Sequence, residues 1–246
     1  MKPNLEISID SPAAFVIRNE AIQSKRFLRQ IYLEWSQMIV DACSRGGVSI
    51  EVGATNVVSR EVFRGMTCWG TDVVATKGVD IVTDACSLAF RDESVRNIVA
   101  IDTFHHLPDA GRFLEASERA LCAGGRLVMV EPWNNRWARF IYSKFHPEPF
   151  DELAGWTVSG DGPMTRANGA LPWIVFERDR ALFERRFPQL KILCIKQVTP
   201  IAFLLSGGSR SRLGMLGNFY GPVRRFEHWF ESRGIGMSAL IVIEKR

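Results

Sequence analysis

The sequence predicts an α/β fold: a doubly wound, mostly parallel sheet of seven strands with an aromatic-rich insertion. Three observations predict it. Short, nearly all-apolar runs recur at 48–52, 67–72, 80–84, 97–102, 126–131, 190–198 and 235–243. Between several of them lie segments whose apolar residues repeat at helical spacing, and strands apolar throughout belong to parallel sheets covered on both faces. Four consecutive runs also end at or beside an acid, namely Glu51, Asp72, Asp84 and Asp102. Ligands of such sheets bind beyond the C-terminal strand ends.

Taken in order, residues 1–18 hold Pro3, Ser11 and Pro12 and read as an irregular lead-in. Ile22, Phe27, Leu28, Ile31, Trp35 and Ile39 then predict one amphipathic helix over 21–42, which Gly46-Gly47 ends. Val48–Val52 is the first strand, placed centrally, and runs into Gly53 and a strand-to-helix turn. Strands at Thr67–Asp72, Asp80–Asp84 and Asn97–Asp102 follow. Phe113, Leu114, Ser117 and Leu121 mark a helix over 110–121, and Gly124-Gly125 turns the chain into a fifth strand. Residues 132–175 carry five prolines and eight aromatic residues, among them Trp133, Tyr142, Phe150 and Trp156. So aromatic a stretch predicts a packed insertion or lid across the strand ends rather than disorder. A charged helix over 176–187, a strand over 190–198, a short helix over 223–230 and a closing strand over 235–243 complete the pattern. The expected organisation is a single domain over 1–246: a lead-in to 45, a cofactor-binding core over 46–132, an insertion over 133–175, and the remainder of the sheet over 176–246.

Composition excludes several classes. Lys and Arg exceed Asp and Glu by 31 to 27, too small an excess to argue for nucleic acid. No apolar run approaches about 18 residues, so no membrane span is expected and the chain reads as cytoplasmic. Cys43, Cys68, Cys86, Cys122 and Cys194 are scattered without a paired motif and read as buried, reduced thiols. No metal-ligand spacing is visible in the sequence. Arg210, Arg212, Arg224 and Arg225 read as a solvated face in preference to a phosphate site, and Phe226, Trp229 and Phe230 as core packing in preference to a subunit contact.

The acids carry the chemistry. A carboxylate ending the second strand can accept both hydroxyls of a ribose, and one ending the third can accept the amino group of adenine. A dinucleotide reading fails at Gly53-Ala54-Thr55-Asn56-Val57-Val58, which lacks two of the three glycines of that fingerprint. His105 and His106 follow the fourth strand where an acceptor would arrive. Imidazole titrates near neutral pH, so one of them is a candidate general base; alternatively the pair packs or caps the next helix. His146, Glu148 and Asp151 in the insertion are weaker candidates.

Glu51-Val52-Gly53, Asp72, Asp84–Phe90, Phe104-His105-His106-Leu107-Pro108-Asp109 and Ala123–Pro132 together resemble the class I S-adenosylmethionine-dependent methyltransferases of type 11. The resemblance implies six parallel strands and a reversed seventh, a Rossmann-like methyltransferase fold with S-adenosylmethionine as cofactor. It implies that Glu51 and Gly53 lie in the first cofactor loop, with Gly53 at the methionine end. Asp72 would hold the ribose, Asp84 and Ala85 the adenine, and Asp102 and Thr103 would border the methionine end. His105 and His106 would face the acceptor. The loop is degenerate, because Thr55 and Val57 stand where the family has glycines, and a wider or shifted turn is expected. Thr55 or Asn56 could then replace lost contacts to the methionine carboxylate. The implied function is methyl transfer to a small-molecule or sugar acceptor. The alternatives are a methyltransferase-like protein that has lost donor binding and acts as a binding or partner subunit, and a related fold doing other chemistry. The sequence sets no oligomeric state.

Overall fold

The structure, a computed structural model, describes residues 8–54, 57–145, 148–208 and 219–246. Its first element corrects the expected lead-in. Helix α1 (Pro12–Ser24) starts where Ser11 Oγ accepts the Ala14 amide at 3.3 Å and Pro12 occupies the first turn. A hydroxyl cap followed by proline is a strong helix start, because proline's missing donor is one the helix would leave unpaired anyway. Lys25, extended at φ −84° and ψ 97°, breaks the expected single helix. Helix α2 (Arg26–Ala42) continues beyond it and buries Phe27, Leu28, Ile31, Trp35 and Ile39.

Seven strands form one sheet: β1 (Ser49–Val52), β2 (Cys68–Asp72), β3 (Ile81–Val82), β4 (Val95–Ile101), β5 (Leu121–Pro132), β6 (Leu190–Val198) and β7 (Ser238–Lys245). Their order is β3-β2-β1-β4-β5-β7-β6. β1 pairs in parallel with both β2 and β4, while β7 runs antiparallel to both β5 and β6. The chain therefore switches direction of winding between β1 and β4, where ligand crevices open in such sheets.

Side chains alternate across the sheet and feed two cores. Ile98 and Ala100 of β4, Leu127 and Met129 of β5, and Ile241 and Ile243 of β7 pack with Phe104, Phe113, Phe176, Phe183 and Phe187. Val99 and Ile101, Val128 and Val130, and Leu240 and Val242 pack on the other face against α2 and Val58. Burial on both faces explains why these strands read as continuous apolar runs.

Helix α3 (Val57–Val62) follows β1, and α4 (Ala110–Ala120) is capped by Asp109 Oδ1, which accepts the Arg112 amide at 3.0 Å. The insertion contributes α5 (Arg136–Phe145) and the single turn α6 (Leu171–Trp173), followed by a π-helical turn over Ile174–Arg178. Helix α7 (Arg180–Arg186) is thus shorter than the predicted 176–187 helix. Asp179, held by Arg178 and by Trp156 Nε1 at 2.9 Å, interrupts it.

Near the C-terminus lie α8 (Ala202–Ser206) and α9 (Tyr220–Glu231). Here the solvated-face expectation fails for Arg224, which is buried and paired with Glu34, Glu227 and Glu231. Arg210 and Arg212 lie outside the described residues. Phe226 and Trp229 are exposed rather than core, and Cys86 is the buried one of five free thiols. Among the described residues no helix is long and apolar enough to cross a membrane.

Candidate functional site

A cavity of about 310 Å³ opens at the C-terminal ends of β1, β2 and β4. Gly53 forms its floor at φ +76°, and a Cβ there would stand 2.2 Å from Thr103 Oγ1. Both the left-handed backbone and the close approach require glycine. The Gly53 and Ala54 amides donate to the Thr71 carbonyl at 2.9 and 3.1 Å, strapping this turn to β2. Asp72 ends β2 on the cavity wall. Its Oδ1 accepts the Val74 amide at 2.8 Å, and burial raises its pKa above the usual carboxylate value. Asp84 serves as both cap and wall: Oδ1 accepts the Cys86 amide at 2.9 Å, and Asp84 and Ala85 line the cavity.

Asp102 lies just past β4 at φ +49°, a region aspartate tolerates better than most residues. Its Oδ2 accepts the Tyr32 hydroxyl at 2.9 Å. Burial pushes its carboxyl up to about 6, with Glu131 adding to the rise and His105 and Arg18 opposing it.

The histidine pair divides into two states. Glu131, fully buried at the end of β5, accepts the Thr103 and Phe104 amides at 2.7 and 2.8 Å and His105 Nδ1 at 2.7 Å. His105 Nε2 lies 3.5 Å from Glu148 Oε2. Burial works against a charge on His105, but the bonds to Glu131 and Glu148 outweigh it and push its pKa up to about 10. His106 donates from Nδ1 to the Arg166 carbonyl at 2.7 Å, in the tautomer that bond requires. Burial and the charge of His105 hold its pKa down at about 3. The rings stand 4.2 Å apart.

Of the residues expected at the site, Gly53, Asp72, Asp84, Ala85, Asp102, Thr103 and His106 line the cavity. Glu51 is not among its lining residues: its carboxylate turns beneath α3 to accept Ser59 Oγ at 2.5 Å, and its Oε2 has no partner among the described residues. His105 is buried and likewise absent from the lining. Thr55 and Asn56 lie outside the described residues, as do His146 and the side chain of Val57. Asp151 supports its own turn, where Oδ1 accepts the Leu153 amide at 2.9 Å.

The structure adds residues that the sequence reading passed over. Helix α1 covers the cavity with Phe15, Arg18 and Ile22; Tyr32 of α2 and Met164 and Arg166 of the insertion complete the wall. The Ser11-Pro12 cap was the available signal for α1. Glu131 was visible as an acid ending an apolar strand, in line with the other four.

A floor glycine at β1, a carboxylate at the end of β2 and an acid at the end of β3 border one cavity of small-molecule size. That set fits a nucleoside-bearing cofactor laid across the three strand ends.

Residues 44–129 match the family model for a methyltransferase domain. No curated protein matches the chain in sequence. Three solved structures are similar in fold. One is from the complex between the Haloferax volcanii Trm112 methyltransferase activator and a putative methyltransferase: 14% identity, TM-score 0.56, 95% of each chain covered. A second is a possible histamine N-methyltransferase from Thermotoga maritima, described as S-adenosylmethionine-dependent: 14% identity, TM-score 0.55, covering 95% of this chain and 99% of that one. The third is geranyl diphosphate C-methyltransferase from Streptomyces coelicolor, in complex with Mg²⁺, geranyl diphosphate and S-adenosylhomocysteine: 14% identity, TM-score 0.51, covering 86% and 76%. Residues 44–129 thus match a methyltransferase domain, and the fold of the chain is similar to that of these methyltransferase structures.

Proposed function

We propose that the protein transfers a methyl group from S-adenosylmethionine to a small-molecule or sugar acceptor that arrives beside His106. The observation that carries this reading is the single cavity bordered by Gly53, Asp72, Asp84 and Asp102. The cofactor would supply an electrophilic methyl group on a sulfonium. Asp72 would accept the ribose hydroxyls, and Asp84 with Ala85 would border the adenine. Displacement at a methyl needs alignment and exclusion of water more than covalent help. Phe15 and Ile22 of α1 supply that cover.

Between the two histidines and Asp102, the directions in which burial and neighbours shift each group favour Asp102 as the proton acceptor. With no metal bound, the bonds of His105 to Glu131 and Glu148 hold its proton near neutrality, and burial holds His106 down at about 3, a weak base. Asp102, titrating at about 6 on the cavity wall, is matched to general-base work near neutrality.

A second reading, a partner subunit without donor binding, draws on Thr55 and Val57 standing at glycine positions and on the fold neighbour found with a methyltransferase activator. Melting temperature separates the two. A ligand at about 100 times its Kd stabilises by about 2.7 kcal/mol, or roughly 5–10 °C for a chain of this size. Excess S-adenosylhomocysteine is expected to raise the melting temperature of the protein and to lose that effect in Asp72→Ala. No shift at millimolar ligand would leave the partner-subunit reading standing.

A further inference from the structure

His105 and His106 share one arrangement. Each has Nδ1 engaged by a fixed acceptor: Glu131 Oε2 at 2.7 Å for His105, and the Arg166 carbonyl at 2.7 Å for His106. Each ring is therefore left with Nε2 for other work. One ligand atom from each of His105, His106 and Glu148 lies within 4.8 Å of the others. The separation between His105 Nε2 and Glu148 Oε2 is 3.5 Å, long for a charge-assisted hydrogen bond. Two ligand atoms sharing a tetrahedral ion at about 2.0–2.1 Å stand about 3.4 Å apart.

We propose that His105, His106 and Glu148 form a site for a divalent transition-metal ion, with both histidines ligating through Nε2 and Glu148 through its carboxylate. Two imidazoles and one carboxylate are a donor set that Zn²⁺ accepts, leaving a further position open for water or a substrate oxygen. The surroundings match what such ligands need. Metal-bound histidines give their other ring N–H to a carboxylate or a backbone carbonyl, which orients the ring; Glu131 and Arg166 do so here.

The backing is rigid. Backbone amides of Thr103 and Phe104 hold Glu131, and the Asn168 amide donates to the His105 carbonyl at 2.9 Å. Glu148 sits beside a braced segment, where the Gly169 amide donates to the Pro149 carbonyl at 2.9 Å and Phe150 stacks on Tyr142 at 4.9 Å. Charge agrees as well. The carboxylates of Asp102, Glu131 and Glu148 surround the pair, with Arg18 as the guanidinium among them. Because His106 lines the cavity, the ion would stand at the wall where an acceptor enters.

The test uses untagged, full-length protein stripped with a chelator, with no adenosyl ligand present. Its outcome is therefore separate from donor binding. Zn²⁺ is titrated by calorimetry and Co²⁺ by visible absorption. One ion per chain is expected, with a Co²⁺ d–d band. Affinity should fall in His106→Ala and in Glu148→Gln by more than the about 10–100-fold that loss of an outer-sphere partner costs. His228→Ala, altering an exposed histidine on α9, should bind as the unaltered protein does. Circular dichroism confirms that each variant is folded; Glu148→Gln, at a partly exposed loop position, remains informative if His106→Ala fails to fold. No stoichiometric binding, or binding equally strong in Glu148→Gln, would overturn the site and leave His105 as a cation bridging two glutamates.

Discussion

At Glu51 the chain buries a carboxyl whose pKa is pushed up to about 7 from an ordinary 4.5, chiefly by loss of solvent. The sign of its effect follows from linkage. Between those two values the folded protein holds a proton that the unfolded chain has released. The favourable contribution is complete below about 4.5 and is lost as pH rises through about 7. Glu51→Gln, which keeps the shape and can still accept from Ser59, is therefore expected to be more stable than the parent at pH 8. At about 1.4 kcal/mol per pK unit the gain is on the order of 3 kcal/mol, and it should vanish near pH 4.5. Urea denaturation at both pH values checks it, and an equal gain at both would contradict burial as the cause. Two residues on, Gly53→Ala forces a side chain into a left-handed turn and against Thr103. A loss of about 1–3 kcal/mol is expected from the backbone, with only the clash relieved by adding Thr103→Ala. Both residues were legible as a motif. Their roles were not, because Glu51 turns its carboxylate to Ser59 while Gly53 meets the cavity with its backbone, and no spacing rule tells the two apart.

Helix α1 shows why an element can escape a reading that locates strands well. Only Phe15 and Ile22 of it are buried, and Val16 and Ile17 are 48% and 52% exposed. A helix that covers a cavity rather than a core carries little apolar periodicity, so the pattern that revealed α2 was faint here. Its cap, Ser11-Pro12, uses the same residues that mark irregular chain. What holds it over the cavity is a latch: Asp10 Oδ1 accepts the Met164 and Thr165 amides at 2.5 and 3.1 Å. Removing the latch in Asp10→Ala should cost about 1–2 kcal/mol of local stability and speed limited proteolysis within 12–24 several-fold. Unchanged cleavage there would mean that α1 is held by its own packing. The insertion was equally opaque in detail. Its aromatic content announced a packed segment, but Asn168 tying it to Asp151 and His105, and Glu148 reaching His105, are long-range contacts with no local signature.

For the whole molecule, most strand positions were readable because burial on both faces removes the polar residues that would blur them. The exceptions are instructive. β3 shrinks to Ile81–Val82, and β7 runs to Lys245, beyond the expected 243. The reversal of β7 came only from family resemblance, since an apolar run reads the same in either direction. The site was legible to the extent that a parallel sheet gathers its strand ends on one edge. The acids at 72, 84 and 102 met there, while Arg18 and Glu131 entered through helix packing and strand order. Hydrogen–deuterium exchange with and without S-adenosylhomocysteine tests the central claim, that this edge holds the methyl donor. The account predicts added protection confined to α1 and to segments 53–57, 72–74, 84–88 and 102–106. Unchanged exchange in those segments at saturating millimolar ligand, or protection elsewhere, would contradict it.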